Sequence, residues 1–135
     1  MPDFDSELAD DLVHQIGTTI LNNARIKSEP WDALSFASTI TTGGRQMNGY
    51  RYEGDDWEAT LPKGDIELIM DMLSDLQDAM AAATGKRWKQ ALIHITRPGP
   101  EIDVQFEYDD PTRWSLKKVS LDLADYAESL RPPRR

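Results

Sequence analysis

Cysteine is absent from this sequence of 135 residues, which excludes disulfides, thiolate nucleophiles and every metal site built on thiolates. Histidine is scarce, since His14 and His94 are the only two, and neither belongs to a catalytic or metal-binding motif. No apolar run approaches the length that crosses a bilayer, and the first five residues are acidic where a signal peptide carries positive charge. These absences predict a cytoplasmic protein that does not enter a membrane.

Basic residues are also few relative to acidic ones. The 24 acids and 15 bases give a net charge of −9, and the imbalance is uneven. Residues 1–80 hold 16 acids and 5 bases, whereas residues 81–135 hold 8 acids and 10 bases. Such a surface repels the phosphates of nucleic acids and attracts a basic protein, so nucleic-acid binding is disfavoured. Solubility alone also explains an acidic surface, and both interpretations stay open at this point.

Three segments have the apolar periodicity of amphipathic helices. The first extends from Asp5 to Ala24, and the third extends from Leu116 to Leu130. The second, from Asp65 to Thr84, has the clearest apolar stripe, with acidic residues on the opposite side. Gly85 follows this second segment as a typical C-cap.

Alternating polar and apolar residues predict a set of strands, the third of which has the weakest pattern: Leu34 to Thr41, Gln46 to Tyr52, Trp57 to Leu61, Trp88 to Thr96 and Ile102 to Tyr108. Glycine and proline mark turns at residues 42–45, 54–56 and 97–100. Strict alternation in the last strand indicates one buried face and one wet face. The pattern therefore favours antiparallel hairpins.

The composition is typical of one globular domain, with 39% hydrophobic and 29% charged residues and no linker or repeat that divides the chain. We predict an α+β fold in two layers, in which an antiparallel sheet of about four to five strands carries helices packed on one face. The domain comprises residues 1–135, with a short flexible tail at residues 131–135.

Carboxylates are plentiful in this chain, with 24 aspartates and glutamates. Neither the acids between Glu53 and Glu58 nor the pair Asp109 and Asp110 has the spacing of a calcium loop. Asp103, Glu107 and Asp109, which alternate along a strand, leave one alternative open, a metal-dependent hydrolase of phosphate-containing substrates that uses strand and turn carboxylates. No positioned lysine or glycine-rich phosphate loop accompanies them. We therefore expect no enzymatic activity, no metal and no cofactor.

The segment from Asp103 to Trp114 follows an acidic-faced helix and a strand that starts at Trp88. It resembles the YezG-like immunity proteins, in which a strand ends in an aromatic-Asp-Asp turn near a downstream tryptophan. The strand with Tyr50 and Tyr52, which leads into an acidic turn, is similar to the family as well. The resemblance covers most of the chain in the order of its elements, but its specific residues are confined to about a dozen positions.

The resemblance implies an immunity protein of bacterial competition that binds and neutralises a cognate toxin, often a nuclease. Because many nuclease toxins are basic so that they can hold nucleic acid, an acidic face can cover the active surface of such a toxin by charge complementarity. The residues predicted to bind the partner are acids, aromatic anchors and a second acidic pair: Glu53, Asp55, Asp56 and Glu58; Tyr50, Tyr52 and Trp57; Asp109 and Asp110. A homodimer formed through one face of the sheet stays open as an alternative.

Overall fold

The computed structural model describes residues 6–115 and 123–132, and its centre is an antiparallel sheet. The five strands are β1 (Ala33–Thr41), β2 (Gly44–Glu53), β3 (Asp56–Ala59), β4 (Gln90–Thr96) and β5 (Glu101–Glu107). Their spatial order is β3-β2-β1-β4-β5, so β1 and β4 lie inside the sheet while β3 and β5 form its edges. The helices in the described ranges are α1 (Ser6–Asn22), α2 (Ala24–Lys27), α3 (Ile66–Thr84) and α4 (Leu123–Leu130).

The predicted α+β class and the antiparallel sheet are confirmed, and the strand boundaries differ from the prediction by one or two residues. The predicted C-cap of α3 is also confirmed. Gly85 adopts a left-handed conformation with a φ of 78°, and its N–H bonds to the carbonyl of Ala81. Local patterns therefore locate the elements well.

The first predicted helix is interrupted at Asn23, a buried residue that separates α1 from the single turn of α2. The side-chain oxygen of Asn23 accepts a hydrogen bond from the N–H of Ile26 at 3.2 Å. Its amide nitrogen donates to the carbonyl of Lys63 at 3.0 Å and to the carboxylate of Asp65 at 2.7 Å. Asn23 thus ties the first helices to the segment that begins α3.

The main core lies between the sheet and the pair α1 and α3. It includes the alternate residues of β1 and β4 that point to this face, together with the apolar stripes of the two helices: Leu34, Phe36, Ile40, Ala91, Ile93, Ile95, Ile16, Ile20, Ile69, Leu73 and Leu76. Gly17 allows α1 to approach β5 closely. A Cβ atom at Gly17 would lie 2.9 Å from the Cδ1 atom of Ile102, so this position is a close packing site.

The prediction that helices cover one face only is wrong, because α4 packs on the opposite face. A second core forms there from residues of the sheet, of α4 and of the segment before it: Ala37, Tyr50, Tyr52, Leu92, Trp114, Tyr126, Ala127 and Leu130. All residues of β4 up to Ile95 are buried, as a strand covered on both sides requires. The architecture therefore has three layers.

The segment predicted as a flexible tail begins at Arg131, yet Arg131 and Pro132 pack against the domain. The side chain of Arg131 is only 10% exposed, and its guanidinium carbon lies 4.5 Å from the centre of the Tyr52 ring. The rest of the predicted tail, residues 133–135, lies outside the described residues. So do Asp5 of the first predicted helix and the predicted start of the last helix at Leu116.

Candidate functional site

The acidic turn, a name we use for Glu53, Asp55, Asp56 and Glu58, joins β2 to β3. Glu53 and Asp56 lie opposite each other as the last pair of the β2–β3 ladder. All four residues are exposed. Because β3 is an edge strand, the acidic turn lies at one corner of the sheet. The structure therefore brings four of the predicted residues together on an accessible surface.

Two side chains from distant segments hold the backbone of the acidic turn. The carboxylate of Asp32 accepts the N–H of Gly54 at 2.7 Å, and Gly54 itself has a φ of 58°. On the other side, Arg131 donates to the carbonyl of Gly54 at 3.0 Å. The carboxylates are therefore presented from a fixed backbone. Sequence reasoning missed Asp32 and Arg131, because no local pattern marks residues that reach the turn from elsewhere in the chain.

The four carboxylates differ in how far a neighbouring cation offsets their charge. Glu58 forms an ion pair with Arg51 of β2, and Arg51 also donates to the carbonyl of Pro30 at 2.9 Å. Glu53 and Asp56 form no ion pair with another residue of the described ranges. The negative charge available to a partner therefore lies mainly on the side of Glu53 and Asp56.

The expectation that Tyr50 and Tyr52 are surface anchors is corrected, because both rings are buried under α4. Tyr50 is 6% exposed and Tyr52 is 1% exposed. The Tyr52 hydroxyl donates to the carbonyl of Ala127 at 2.6 Å, and burial raises the pKa of Tyr52 to about 12. Trp57 is half-buried and packs edge-on against Tyr50 with 5.5 Å between ring centres. Of the three predicted aromatic anchors, Trp57 retains an exposed surface.

Asp109 and Asp110 are exposed, and the Asp110 side chain and the backbone N–H groups of both residues form hydrogen bonds that shape the chain after β5. The carboxylate of Asp110 accepts the N–H of Thr112 at 2.8 Å. The carboxylate of Glu107 accepts the backbone N–H groups of Asp110 and Asp109, both at 3.0 Å, and pairs with Arg113 at 2.9 Å. These hydrogen bonds, the backbone ones first, hold the pKa of Glu107 below its usual value.

The two predicted acidic clusters lie at diagonally opposite corners of the sheet. The acidic turn borders Tyr52, which lies opposite the first residue of β1. Asp109 follows the end of β5, where Glu107 lies opposite Gln90, and Gln90 in turn lies opposite Thr39 near the end of β1. The structure thus does not bring Asp109 and Asp110 together with the acidic turn.

The two histidines lie in different surroundings. His14 is exposed on α1. His94 is 6% exposed in the middle of β4, and its Nε2 lies 2.8 Å from the carbonyl oxygen of Leu130, so the ring nitrogen donates the proton of this hydrogen bond. Burial lowers the pKa of His94. His94 therefore links β4 to the end of α4.

Of the carboxylates that suggested a metal-dependent hydrolase, Asp103 and Glu107 lie on β5 and Asp109 follows its end. Within residues 6–115 and 123–132, no group of three or more histidine, aspartate or glutamate side chains is close enough to hold a metal ion. No observation on these residues favours that alternative over a solvated strand face.

The sequence matches no protein-family model, and it is not significantly similar to any curated protein. The resemblance to YezG-like immunity proteins thus remains an expectation based on the residues named above. In the described part of the chain, the helices are all too short or too polar to cross a membrane.

Proposed function

We propose that this protein is a binding domain that neutralises a basic protein, and that it acts as an immunity protein against a bacterial toxin. The observation that carries the proposal is the acidic turn, in which exposed carboxylates stand on a backbone held by Asp32 and Arg131. A preorganised surface loses less conformational entropy on binding, so more of its interaction energy is retained as affinity.

The charge of the whole chain supports the same proposal. A net charge of −9 attracts a basic partner and repels nucleic acid. The attraction between exposed charges decays over about 8 Å at physiological salt. Its main effect is therefore a faster encounter with the correct partner, after which close contacts at the acidic turn determine how long the complex lasts.

Neutralisation in this proposal is competition for a cationic surface. A nuclease holds nucleic acid through lysine and arginine side chains that neutralise phosphates. Carboxylates that pair with those side chains occupy the same surface, and this chain makes or breaks no covalent bond. The exposed part of Trp57, which Tyr50 holds in place, adds apolar contact area beside the carboxylates.

The experiment is a growth test in which the product of the gene beside this chain's gene is expressed as the candidate toxin. We expect co-expression of the wild-type chain to restore growth. The double variant Glu53→Lys/Asp56→Lys should restore it poorly, because it reverses charge at the acidic turn. The matched control Asp10→Lys/Asp75→Lys carries the same change in net charge at exposed acids of α1 and α3, and it should restore growth fully.

Two results would contradict the proposal. If the wild-type chain formed no complex with the neighbouring toxin and left its toxicity intact, the proposed function would be wrong. If both double variants protected cells as well as the wild type did, the function would stand but the acidic turn would not be the site.

A further inference from the structure

β5 is the second edge of the sheet, and one of its two sides pairs with no strand in residues 6–115 and 123–132. Among the described strands β5 pairs only with β4, and its seven residues make it longer than β3, the other edge, which has four. An edge strand presents backbone N–H and C=O groups that can pair with another chain. Strands that remain accessible in this way accept extended segments of partner proteins.

The hydrogen bonds of the sheet indicate which backbone groups of β5 point outward. The carbonyl of Glu107 accepts the N–H of Lys89 at 2.8 Å, so the backbone of Glu107 faces β4. Backbone direction alternates along a strand. The N–H and C=O groups of Ile102, Val104 and Phe106 therefore face away from β4, toward the open edge.

The side chains of β5 divide into an apolar row and an acidic row. Ile102, Val104 and Phe106 are half-buried against the main core. The other face carries three acids and one glutamine of β5: Glu101, Asp103, Gln105 and Glu107. The carboxylate of Glu107 also pairs with Arg113. Beside this acidic row lies a groove of about 550 Å³, which His94 and Pro132 help to line. Asp103 is exposed in the middle of the row.

We propose that β5 is a docking edge for an extended segment of a protein partner in which basic residues alternate with apolar ones. Residues opposite each other on neighbouring strands share a face. The basic residues of such a segment would therefore lie beside Asp103, on the face of the acidic row. The apolar residues of the segment would lie beside Val104, on the face of the apolar row. The inference rests on the proposed function, because it assigns the basic partner a second contact.

A second copy of this chain is a poorer occupant of the same edge. Antiparallel self-pairing centred on Val104 places Glu101 opposite Glu107. A shift of one residue toward the start of the strand places Asp103 opposite its own copy. The opposite shift places Asp103 opposite Glu107. Like charges directly opposite each other destabilise a strand pair, so the charges that oppose self-pairing favour a basic segment.

The experiment uses the full chain and a synthetic peptide of the length of β5, with blocked ends and with lysine and valine in alternation. A peptide of identical composition, with lysines in one block and valines in the other, is the control. Amide hydrogen exchange of Val104 and Phe106 is measured by NMR. We expect the alternating peptide to slow this exchange about tenfold or more, because an unpaired amide gains a hydrogen-bond acceptor, and the block peptide to leave it unchanged.

Equal protection by both peptides would overturn the proposal, since it would show attraction by charge alone. Absence of protection by the alternating peptide would overturn it as well. Protection that appears without peptide and increases with protein concentration would indicate self-pairing, and it would also overturn the proposal.

Two variants test whether the outward backbone and the charge of β5 contribute to binding of the alternating peptide. Val104→Pro removes an outward N–H without removing a donor that faces β4, and Asp103→Lys reverses the charge at the centre of the acidic row. Both should weaken binding of the alternating peptide about tenfold, whereas Asp75→Lys on α3 should not. If Val104→Pro does not fold, Asp103→Lys decides the question alone, and unchanged affinity in that variant contradicts the proposal.

The same variants distinguish this inference from the proposed function. Suppose that Asp103→Lys neutralises the toxin fully and that the amide of Val104 is not protected in the toxin complex. The docking edge would then be wrong, and the proposed function would stand. Failure of the wild-type chain to bind the toxin would remove the proposed function. Protection of Val104 by the alternating peptide would still support the edge as a strand-binding site.

Discussion

The guanidinium carbon of Arg131 lies 4.5 Å from the centre of the Tyr52 ring. Arg131 also forms two hydrogen bonds of 2.7 Å to the carboxylate of Glu128 and donates to the carbonyl of Gly54 at 3.0 Å. The side chain of Arg131 thus connects α4, the covered face of β2 and the acidic turn. This connection relates the stability of the second core to the shape of the candidate site.

Replacement of Arg131 should therefore destabilise the protein and loosen the acidic turn. We expect Arg131→Ala to lower the free energy of unfolding by about 2 kcal/mol, because a stacked cation and its hydrogen bonds are lost together. The measurement is urea denaturation, with amide exchange of Gly54 as a local readout. Arg25→Ala, which removes an exposed ion pair with Glu29, should cost less than about 0.5 kcal/mol. Equal stability of the two variants would contradict the role given to Arg131.

Gly49 in β2 provides a test of packing. A Cβ atom at this position would overlap the Phe36 ring and would lie 2.6 Å from the carbonyl oxygen of Thr60. Overpacking of a core typically costs about 1–3 kcal/mol, so we expect Gly49→Ala to lower the midpoint of thermal unfolding clearly. The control is Gly43→Ala. The atom nearest to a Cβ atom at Gly43 would be the hydroxyl oxygen of Thr41, at 3.6 Å. This control should melt like the wild type, and an equally mild effect of Gly49→Ala would contradict close packing of Gly49 against Phe36 and Thr60.

His94 should make stability depend on pH. Burial lowers the pKa of His94 in the folded state, whereas its pKa in the unfolded chain is about 6.5. The unfolded state therefore takes up the proton first as the pH falls. The contribution of neutral His94 to stability is fully present above about pH 6.5. It is lost as the pH falls toward the lowered pKa of the folded state. We expect the free energy of unfolding from urea titrations to decrease between about pH 7 and pH 5.

The variant His94→Gln can still donate a hydrogen bond to the carbonyl of Leu130 but does not titrate. It should flatten this part of the pH profile, whereas His14→Gln, at an exposed position of α1, should leave the slope as it is. An unchanged slope in His94→Gln would mean that another group causes the pH dependence.

The order and type of most elements could be predicted from the sequence because local patterns determine them, whereas the break between α1 and α2 at Asn23 could not. The apolar stripe of α3 and the glycine that follows it are examples. The second covered face could not be predicted from the alternation of Tyr50 and Tyr52, since an exposed aromatic row and a row under a helix have the same spacing. One signal was present: the apolar run around His94, from Ala91 to Ile95, is typical of a strand covered on both faces.

The candidate site was predictable to a similar extent. Acids clustered between two strands must lie in a surface turn, so their exposure follows from the pattern. The supports of that turn, Asp32 and Arg131, could not be predicted, because each is brought to Gly54 by the fold of the whole chain. Trp57 was selected on the same basis as the two buried tyrosines, and only the covering by α4 distinguishes them.

The most direct test of binding by charge complementarity is the rate of association with the neighbouring toxin, measured by stopped-flow fluorescence as a function of salt concentration. We expect the wild-type rate to fall steeply as salt screens the charges. Glu53→Lys/Asp56→Lys should associate about tenfold more slowly at low salt and show a shallower salt dependence, unlike Asp10→Lys/Asp75→Lys. An identical rate and an identical salt dependence for the wild type and for Glu53→Lys/Asp56→Lys would contradict binding through the acidic turn.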